Sequence, residues 1–248
     1  VIGLGTLLNM AAIVVGSAVG VLLGGRLPSR TRDLITQALG LITMVVAALN
    51  IVALLDADWI ADVGSSAPLL IVLGSVVIGG VIGSLLHIEA RVERLGGWLQ
   101  RRVGRSSDGA GRARFIEGFV DASLLFCIGP LAILGALSDG LGQGIDQLAL
   151  KSVMDGFAAV AFAASLGWGV AFSALAVGVV QGLFTVLGAL VGSVLAASAI
   201  ASITATGGVL LLGVSLRLLQ VSRIAVADLL PALVVAPLIT LGVTAWMA

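Results

Sequence analysis

The sequence predicts an all-α fold, a polytopic transmembrane helix bundle, and composition and run length are the two observations behind it. Of the 248 residues, 59% are hydrophobic and only 10% are charged, whereas soluble proteins carry about 25% charged residues. The mean hydropathy is +1.20, and the apolar residues stand in runs close to the roughly 20 residues that a transmembrane helix needs. These runs do not alternate with polar residues, as the strands of a transmembrane β-barrel do.

Eight runs have a suitable length, and each is predicted to be one helix of a single transmembrane domain over residues 1–248. They cover residues 4–24, 35–55, 67–86, 116–137, 151–171, 175–196, 205–220 and 226–247. The uncharged segment 196–204 joins the sixth run to the seventh. These two runs are therefore also compatible with a re-entrant pair. Eight spans is the favoured count, and seven is the alternative.

The charges predict how the spans are oriented. All twelve arginines lie at residues 26–32, 91–114, 217 and 223, which eight spans place on one side of the membrane. The opposite loops are predicted to carry Lys151 and five aspartates, namely Asp56, Asp58, Asp62, Asp139 and Asp146. Because arginine-rich loops stay in the cytoplasm, we expect a multi-pass protein of the cell inner membrane with both termini outside.

Residues 88–115 are predicted to form a cytoplasmic amphipathic connector between two halves of the protein. Ile88, Val92, Leu95, Leu99 and Val103 recur at helical spacing, and arginines stand between them. A helix with this pattern lies in the interface and meets anionic lipid headgroups through its arginines. A regulatory or partner-binding helix is the alternative.

Glycines at a spacing of four residues predict close helix packing. Such ridges are formed by Gly16, Gly20 and Gly24 in the first span, Gly79 and Gly83 in the third, and Gly178, Gly182, Gly188 and Gly192 in the sixth. Packing within the chain is the favoured interpretation, and a homodimer interface is the alternative.

An internal repeat is a further hypothesis. Residues 16–25 (GSAVGVLLGG) resemble residues 188–197 (GALVGSVLAA), and residues 40–49 resemble residues 208–217. The predicted topology makes spans one to three and spans six to eight run in opposite directions. Inverted repeats of this kind are common in secondary transporters, although glycine-rich apolar segments also match by chance.

Polar side chains inside predicted spans are candidate sites, because burying them in lipid is costly. The spacing of four residues puts Glu117 and Asp121 on one helix face, and Lys151 and Asp155 on another. Structural hydrogen bonding is the alternative for each residue. The candidates for a substrate or ion path are Asp155, Lys151, Glu117, Asp121, Asp139, Asn9 and Gln181.

Prolines predict breaks in two spans. Gly129 and Pro130 lie inside the fourth span, and Pro231 and Pro237 lie inside the eighth. A proline within a helix leaves the carbonyl four residues earlier without its donor. Such carbonyls are tolerated at membrane depth when they line a polar cavity or are covered by protein, so the fourth span is predicted to offer carbonyls such as that of Phe126 to Asp155. A simple kink is the alternative at each proline.

Several classes of protein are excluded or disfavoured. The formal net charge is zero, which gives no basic footprint for nucleic acid. With one histidine and one cysteine, no zinc motif or internal disulfide is possible. The chain has neither a GxxxxGK[ST] phosphate loop nor a GxSxG elbow. We therefore expect no enzyme activity and no cofactor.

Five segments are similar to one family of bacterial membrane proteins, the domain of unknown function 554. They are GTLLNMAAIVVGSAVGVLLG (5–24), GSLLHIEARVERLG (83–96), FIEGFVDASLLFCIGPLAILGALSDGL (115–141), KSVMDGFAAVAFAASLGWGVAFSA (151–174) and LLPALVVAP (229–237). The resemblance covers nearly the whole chain and implies an inner-membrane protein, often described as a transporter, without a substrate. Asp121 and Asp228 depart from the usual pattern, which favours Glu117, Asp139, Lys151 and Asp155 as site residues.

The leading functional hypothesis is a transporter or channel for a small solute or cation, with spans four and five forming part of its path. The alternative is a non-transporting assembly or regulatory protein that binds partners through its glycine-rich helix faces. An intramembrane enzyme is the third hypothesis.

Overall fold

A computed structural model describes residues 2–24, 28–103, 109–127, 130–191, 196–222 and 224–247. Over these residues it has eleven α-helices and no strand. The helices are α1 (Leu4–Gly24), α2 (Ser29–Ile51), α3 (Ala57–Val63), α4 (Ala67–Leu86), α5 (Ile88–Val103), α6 (Gly109–Cys127), α7 (Pro130–Gly140), α8 (Asp146–Leu166), α9 (Gly169–Val191), α10 (Ala197–Leu218) and α11 (Ala232–Met247). The all-α prediction is confirmed.

The predicted helix bounds hold for α1 and α4 and fail most clearly for α10. This helix begins at Ala197, so the segment 196–204 is almost entirely helical and the predicted loop there is wrong. The segment is rich in serine and threonine, which lowers its hydropathy. These hydroxyls are satisfied inside the helix, since Ser202 Oγ donates to the carbonyl of Ala199 at 2.7 Å and Thr204 Oγ1 to that of Ile200 at 2.8 Å.

The packing divides the chain into two compact units. The first contains residues 1–40, 92–127 and 131–193, and the second contains residues 41–91, 128–130 and 194–248. The units interleave along the chain, and one of the boundaries between them, at Arg91 and Val92, falls inside the predicted connector at residues 88–115. Within that connector α5 ends at Val103 and α6 already begins at Gly109, while residues 104–108 lie outside the described residues.

In the first unit, α1 and α8 pack side by side through small residues. A Cβ atom added to Gly16, Gly20 or Gly24 would meet the backbone oxygen of Gly156, Val160 or Ala164, respectively. The contacts advance together along both helices, so α1 and α8 are parallel. Close approach of this kind is possible because glycine leaves the backbone uncovered.

The helices α6 and α7 decide the number of spans. Among the described residues, seven helices are long and apolar enough to cross a membrane alone, and α6 with α7 makes an eighth span if the bent pair crosses as one. Gly118 of α6 packs on Val170 near the start of α9, and Gly188 near the end of α9 packs on Leu137 of α7. Together α6 and α7 therefore run the length of α9, which favours eight spans. Eight spans also make α1 and α8 parallel, as observed.

The second unit has a core of α3, α4 and α10. Trp59 of α3 is fully buried and packs with Ile71 and Val72 of α4 and with Ala201 and Ala205 of α10. The short helix α3, capped by the Asp56 carboxylate on the Trp59 N–H at 2.9 Å, turns this indole inward.

The second glycine ridge packs inside the second unit. A Cβ atom at Gly79 would meet Ala232 of α11, and one at Gly83 would meet the backbone of Asp228. At the same end of α4, Glu89 accepts a hydrogen bond from the Ala227 N–H at 2.8 Å, and its other oxygen pairs with Arg217 at 2.6 Å. The Asp228 carboxylate accepts the Glu89 N–H at 2.8 Å. Charged groups therefore link the start of α5 to the end of α10 and to the residues that precede α11.

The helix α5 has two faces that differ from the predicted ones. Gly96, Gly97 and Leu99 are buried, and Gly97 lies against the guanidinium of Arg112 from α6. Leu95 and Trp98 are about half exposed, on the side where Arg94, Arg101 and Arg102 are exposed. The predicted separation of apolar residues from arginines is therefore wrong for Leu95, and Trp98 adds an apolar group to the arginine side.

The inverted repeat stays a prediction. Each proposed triplet has its first helix, α1 or α9, in the first unit and its third helix, α4 or α11, in the second unit. Both triplets are thus divided between the two units at their first and third helices, which is compatible with a repeat. Superposition of the triplets involves both units and is not tested by the packing within either one.

We expect Gly20→Ala to lower the melting temperature of the detergent-purified protein. The new Cβ meets the Val160 carbonyl and lies 2.9 Å from the Ala163 Cβ, so α1 and α8 must separate, and such overpacking costs about 1–3 kcal/mol. The matched control is Gly182→Ala, where nothing lies within 4 Å of the added Cβ. Equal melting temperatures for the two variants would contradict the α1–α8 contact.

Eight spans and the arginine distribution together predict that exposed Ala110 faces the cytoplasm, whereas exposed Ala61 and Gln143 face outward. Single cysteines at these positions, in a Cys127→Ser background, are labelled in intact cells with a membrane-impermeant thiol reagent. Labelling at 61 and 143 but not at 110 is expected, and labelling after lysis serves as the control. The opposite pattern would reverse the orientation, and mixed labelling of 61 and 143 would refute the span count.

Candidate functional site

The predicted fourth span consists of two helices, α6 and α7. The helix α6 ends at Cys127, and α7 begins at Pro130, while Gly129 and the side chain of Pro130 lie outside the described residues. The last carbonyls of a helix have no N–H partner within it. The carbonyl of Phe126, in the last turn of α6, belongs to this set.

A buried ion pair on α8 is the chemical centre of the first unit. Lys151 Nζ lies 2.9 Å from Asp155 Oδ2, and each side chain is 9% exposed. The same oxygen of Asp155 accepts a hydrogen bond from Asn9 Nδ2 of α1 at 2.9 Å. The parallel contact of α1 and α8 produces this arrangement, because it brings Asn9 opposite Asp155.

Gln181 of α9 lies at the level of this ion pair along the bundle. The helices α1 and α9 are antiparallel, since Thr6 Oγ1 and Thr185 Oγ1 are 3.3 Å apart and Gly178 packs on Met10. Asn9 lies between Thr6 and Met10, and Gln181 lies between Gly178 and Thr185. The two amide side chains are therefore at one level.

The end of α6 lies at a similar level. Cys127 is about midway between Gly118, which packs at Val170 of α9, and Leu137, which packs at Gly188 of α9. Its thiol is close enough to interact electrostatically with both Lys151 and Asp155. In addition, the ring of Phe126 meets that of Phe162 on α8, with centroids 6.3 Å apart. The end of α6 is thus near the ion pair.

Three polar atoms at this level have no hydrogen-bond partner among the described residues. They are the Asn9 Oδ1 atom and both amide atoms of Gln181, and the two residues are fully buried. A buried polar atom without a partner costs about 1–3 kcal/mol. Such a group in a membrane-spanning helix is a functional candidate.

Asp139 is not in a loop as expected. It lies near the end of α7, is 2% exposed, and its two oxygens accept the N–H groups of Gly3 and Gly5 at 3.0 and 2.9 Å. A carboxylate in this position satisfies the first N–H groups of α1 and interacts favourably with the helix dipole. Asp139 therefore stabilises the start of α1, and no contact joins it to the Lys151–Asp155 pair.

Glu117 and Asp121 of α6 are away from the pair. Glu117 is half-buried and Asp121 is fully buried. Gly118, between them, packs on Leu166 and Val170, where α8 ends and α9 begins. The expected orientation makes this the cytoplasmic end of the first unit.

The two prolines that were predicted to break the eighth span do not separate two α-helices. Pro231 precedes α11 and follows a short 3-10 helix (Val226–Leu229), so it lies at a junction, and its expected position inside a helix is wrong. Pro237 lies inside α11, which continues to Met247. Proline suits the junction because it cannot donate a backbone hydrogen bond there.

Two members of the site were missed from the sequence. Thr185 lies four residues after Gln181, a spacing that puts both on one helix face, and this signal was present but not used. Cys127 precedes the Gly129–Pro130 break, and its position beside Lys151 follows only from the packing of α6 and α8. Among the described residues no group of three or more His, Cys, Asp or Glu side chains could hold a metal ion.

Apolar spanning helices, an interrupted span and buried charges beside the interruption together define a polytopic integral membrane protein. The chain matches the family described as "Protein of unknown function (DUF554)" over residues 4–241, and it belongs to that family. It is 29% identical over 235 residues to the uncharacterized membrane protein YdfK of Bacillus subtilis (strain 168), covering 95% of this chain and 94% of the relative.

A second relative is the uncharacterized protein YqgA of Escherichia coli (strain K12). It is 29% identical over 245 residues, which cover 99% of each chain. No solved structure matches the chain. The comparisons establish the family, and the printed name of the first relative agrees with a membrane location.

Proposed function

We propose that this protein is a transporter of small solutes or ions in the bacterial inner membrane. The observation that carries the proposal is the interrupted α6–α7 span, which ends beside the buried Lys151–Asp155 pair. Interrupted helices at mid-membrane commonly form the binding sites of secondary transporters, because their free backbone groups face the substrate. The path runs through the first unit, with Glu117 at its cytoplasmic mouth.

The burial of the pair supports this role over a purely structural one. Holding two charges in a low-dielectric interior is costly, and apolar replacements of similar volume are often as stable or more stable. Ionisable side chains in transmembrane segments mark ion and substrate pathways more often than packing sites. Asn9 and Gln181 add polar atoms without partners at the same level, which packing alone does not explain.

The alternative function, a non-transporting assembly or regulatory protein, depends on open glycine faces. The ridges of α1 and α4 contact α8 and α11 within the chain, so these two faces are not open to another protein. A homodimer through the remaining surface stays a prediction.

We expect Asp155→Asn to abolish flux through proteoliposomes. The panel of solutes to be tested contains Na⁺, K⁺ and Mg²⁺, whose flux is measured by electrical recording. It also contains small sugars, carboxylic acids and α-amino acids, whose uptake is measured by mass spectrometry of the vesicle contents. The amide keeps the size of the side chain but removes the charge. Asp146→Asn, at an exposed acid in the first turn of the same helix, is the control and should transport normally.

The single variant leaves Lys151 buried without its partner, which destabilises a protein by about 3–5 kcal/mol. The double variant Lys151→Gln, Asp155→Asn removes both charges and keeps the fold testable. Normal flux through a folded double variant would refute the site, and flux of no panel member through the wild type would refute the transport function.

We also propose that α5 binds anionic lipid headgroups. Trp98 and Leu95 are about half exposed beside exposed arginines, and the Arg102 guanidinium lies 5.3 Å from the centre of the Trp98 ring. An amphipathic ring with adjacent positive charge suits the headgroup layer of an anionic leaflet.

Phosphatidylglycerol should therefore raise the melting temperature of the purified protein more than phosphatidylcholine does, and salt should reduce the difference. Arg101→Gln with Arg102→Gln should lose a large part of the difference, since each arginine near an anionic surface contributes about 1 kcal/mol. Arg30→Gln, at an exposed arginine of α2, is the control. An equal effect of both lipids on the wild type would contradict the proposal.

A further inference from the structure

We propose that the substrate of this path is a small zwitterion of the α-amino-acid class, bound between Lys151 and Asp155. The inference rests on the transport function proposed above and names the substrate class of the same site. Its basis is that the two charges of the site are opposite, buried and paired with each other at 2.9 Å.

Charge balance favours a zwitterion over an ion of one sign as the ligand of this site. A cation that binds Asp155 must displace Lys151, and an anion that binds Lys151 must displace Asp155. Either exchange leaves one buried charge without a partner, which is strongly unfavourable. A zwitterion offers its carboxylate to Lys151 and its ammonium to Asp155, so each buried charge exchanges one partner for another.

The geometry favours a zwitterion with closely spaced charges. Because Lys151 Nζ and Asp155 Oδ2 are in direct contact, a ligand that inserts between them needs its ammonium and carboxylate near each other. The α-amino acids carry both groups on one carbon. Gly156, the residue after Asp155, packs closely against Gly16 of α1, so the two helices are in close contact beside the pair.

The unpartnered amides supply the remaining hydrogen bonds. Asn9 donates to Asp155 through Nδ2 and keeps Oδ1 as a vacant acceptor, which suits a second ammonium proton. Gln181 Nε2 is a vacant donor for the second carboxylate oxygen, and Gln181 is fully buried. Ligand binding then satisfies polar atoms that are otherwise buried without partners.

The end of α6 lies near the pair. Its last-turn carbonyls, including that of Phe126, carry the partial negative charge of a helix C-terminus. Cys127 in this turn interacts with both members of the pair. Carbonyls at the end of a helix near the pair favour a hydrogen-bond donor such as an ammonium group.

The first test compares three probes with one carbon skeleton: L-alanine, propionate and ethylamine. Propionate lacks the ammonium group, and ethylamine lacks the carboxylate. Glycine, L-serine, L-leucine and L-glutamine extend the zwitterions in size and polarity. Binding to the purified full chain is measured by calorimetry in detergent. At least one zwitterion should bind about tenfold or more tightly than either probe of single charge, since pairing one charge leaves the other unpaired.

The second test measures whether removing one charge of the pair changes which of the two singly charged probes binds more tightly. Asp155→Asn should favour propionate over ethylamine, because Lys151 is then available, and Lys151→Gln should favour ethylamine over propionate. The double variant, without either charge, should bind all three probes weakly. Gln181→Leu should weaken zwitterion binding about tenfold through the loss of one hydrogen bond, whereas Gln143→Leu, at an exposed loop position, should not.

These outcomes distinguish the two proposals from each other. If no zwitterion binds or is transported while an ion or uncharged solute is transported, the transport function stands and the substrate class is wrong. If no panel member binds or moves, both are wrong. Single-charge variants that lose all three probes equally, without the opposite preferences, would also overturn the inference, because a purely structural pair predicts that pattern.

Discussion

The close parallel contact between α1 and α8 is the constraint on which the first unit depends. Lipid offers little hydrophobic drive for helices to associate, so packing at small residues has to supply the attraction. Three glycines of α1 place its backbone on that of α8. Once that register is set, Asn9 lies opposite Asp155, and α9 is positioned against α1 through the pair Thr6 and Thr185.

The site combines a rigid side with an interrupted side. Two continuous helices, α1 and α8, hold the charged pair and Asn9, whereas the neighbouring span is divided into α6 and α7. At the far end of that span, Asp139 binds the first N–H groups of α1. A movement of α7 would therefore displace the start of α1. In this way Asp139 connects the divided span to the helix that carries Asn9.

The sequence predicted the class of fold and the residues of the ion pair because both depend on local patterns. Hydropathy marks α1 and α4 well, and the spacing of Lys151 and Asp155 follows from one helical turn. Tertiary environment decided the rest. The start of α10 was missed because its serines and threonines lower the hydropathy, although their hydroxyls bond to the helix's own carbonyls. The burial of Trp59 depends on how α3 packs on α4 and α10. The helix that binds Asp139 lies 134 residues away in the chain, and no local pattern encodes that contact.

The separation of Asn9 from Asp155 has a consequence for biosynthesis. The two residues are 146 positions apart, and ribosomes add about 5–20 residues per second. The time between the synthesis of α1 and the synthesis of α8 is therefore roughly 7–30 s. During this interval the nascent α1 carries Asn9 and its glycines without the α8 contacts that cover them in the folded protein.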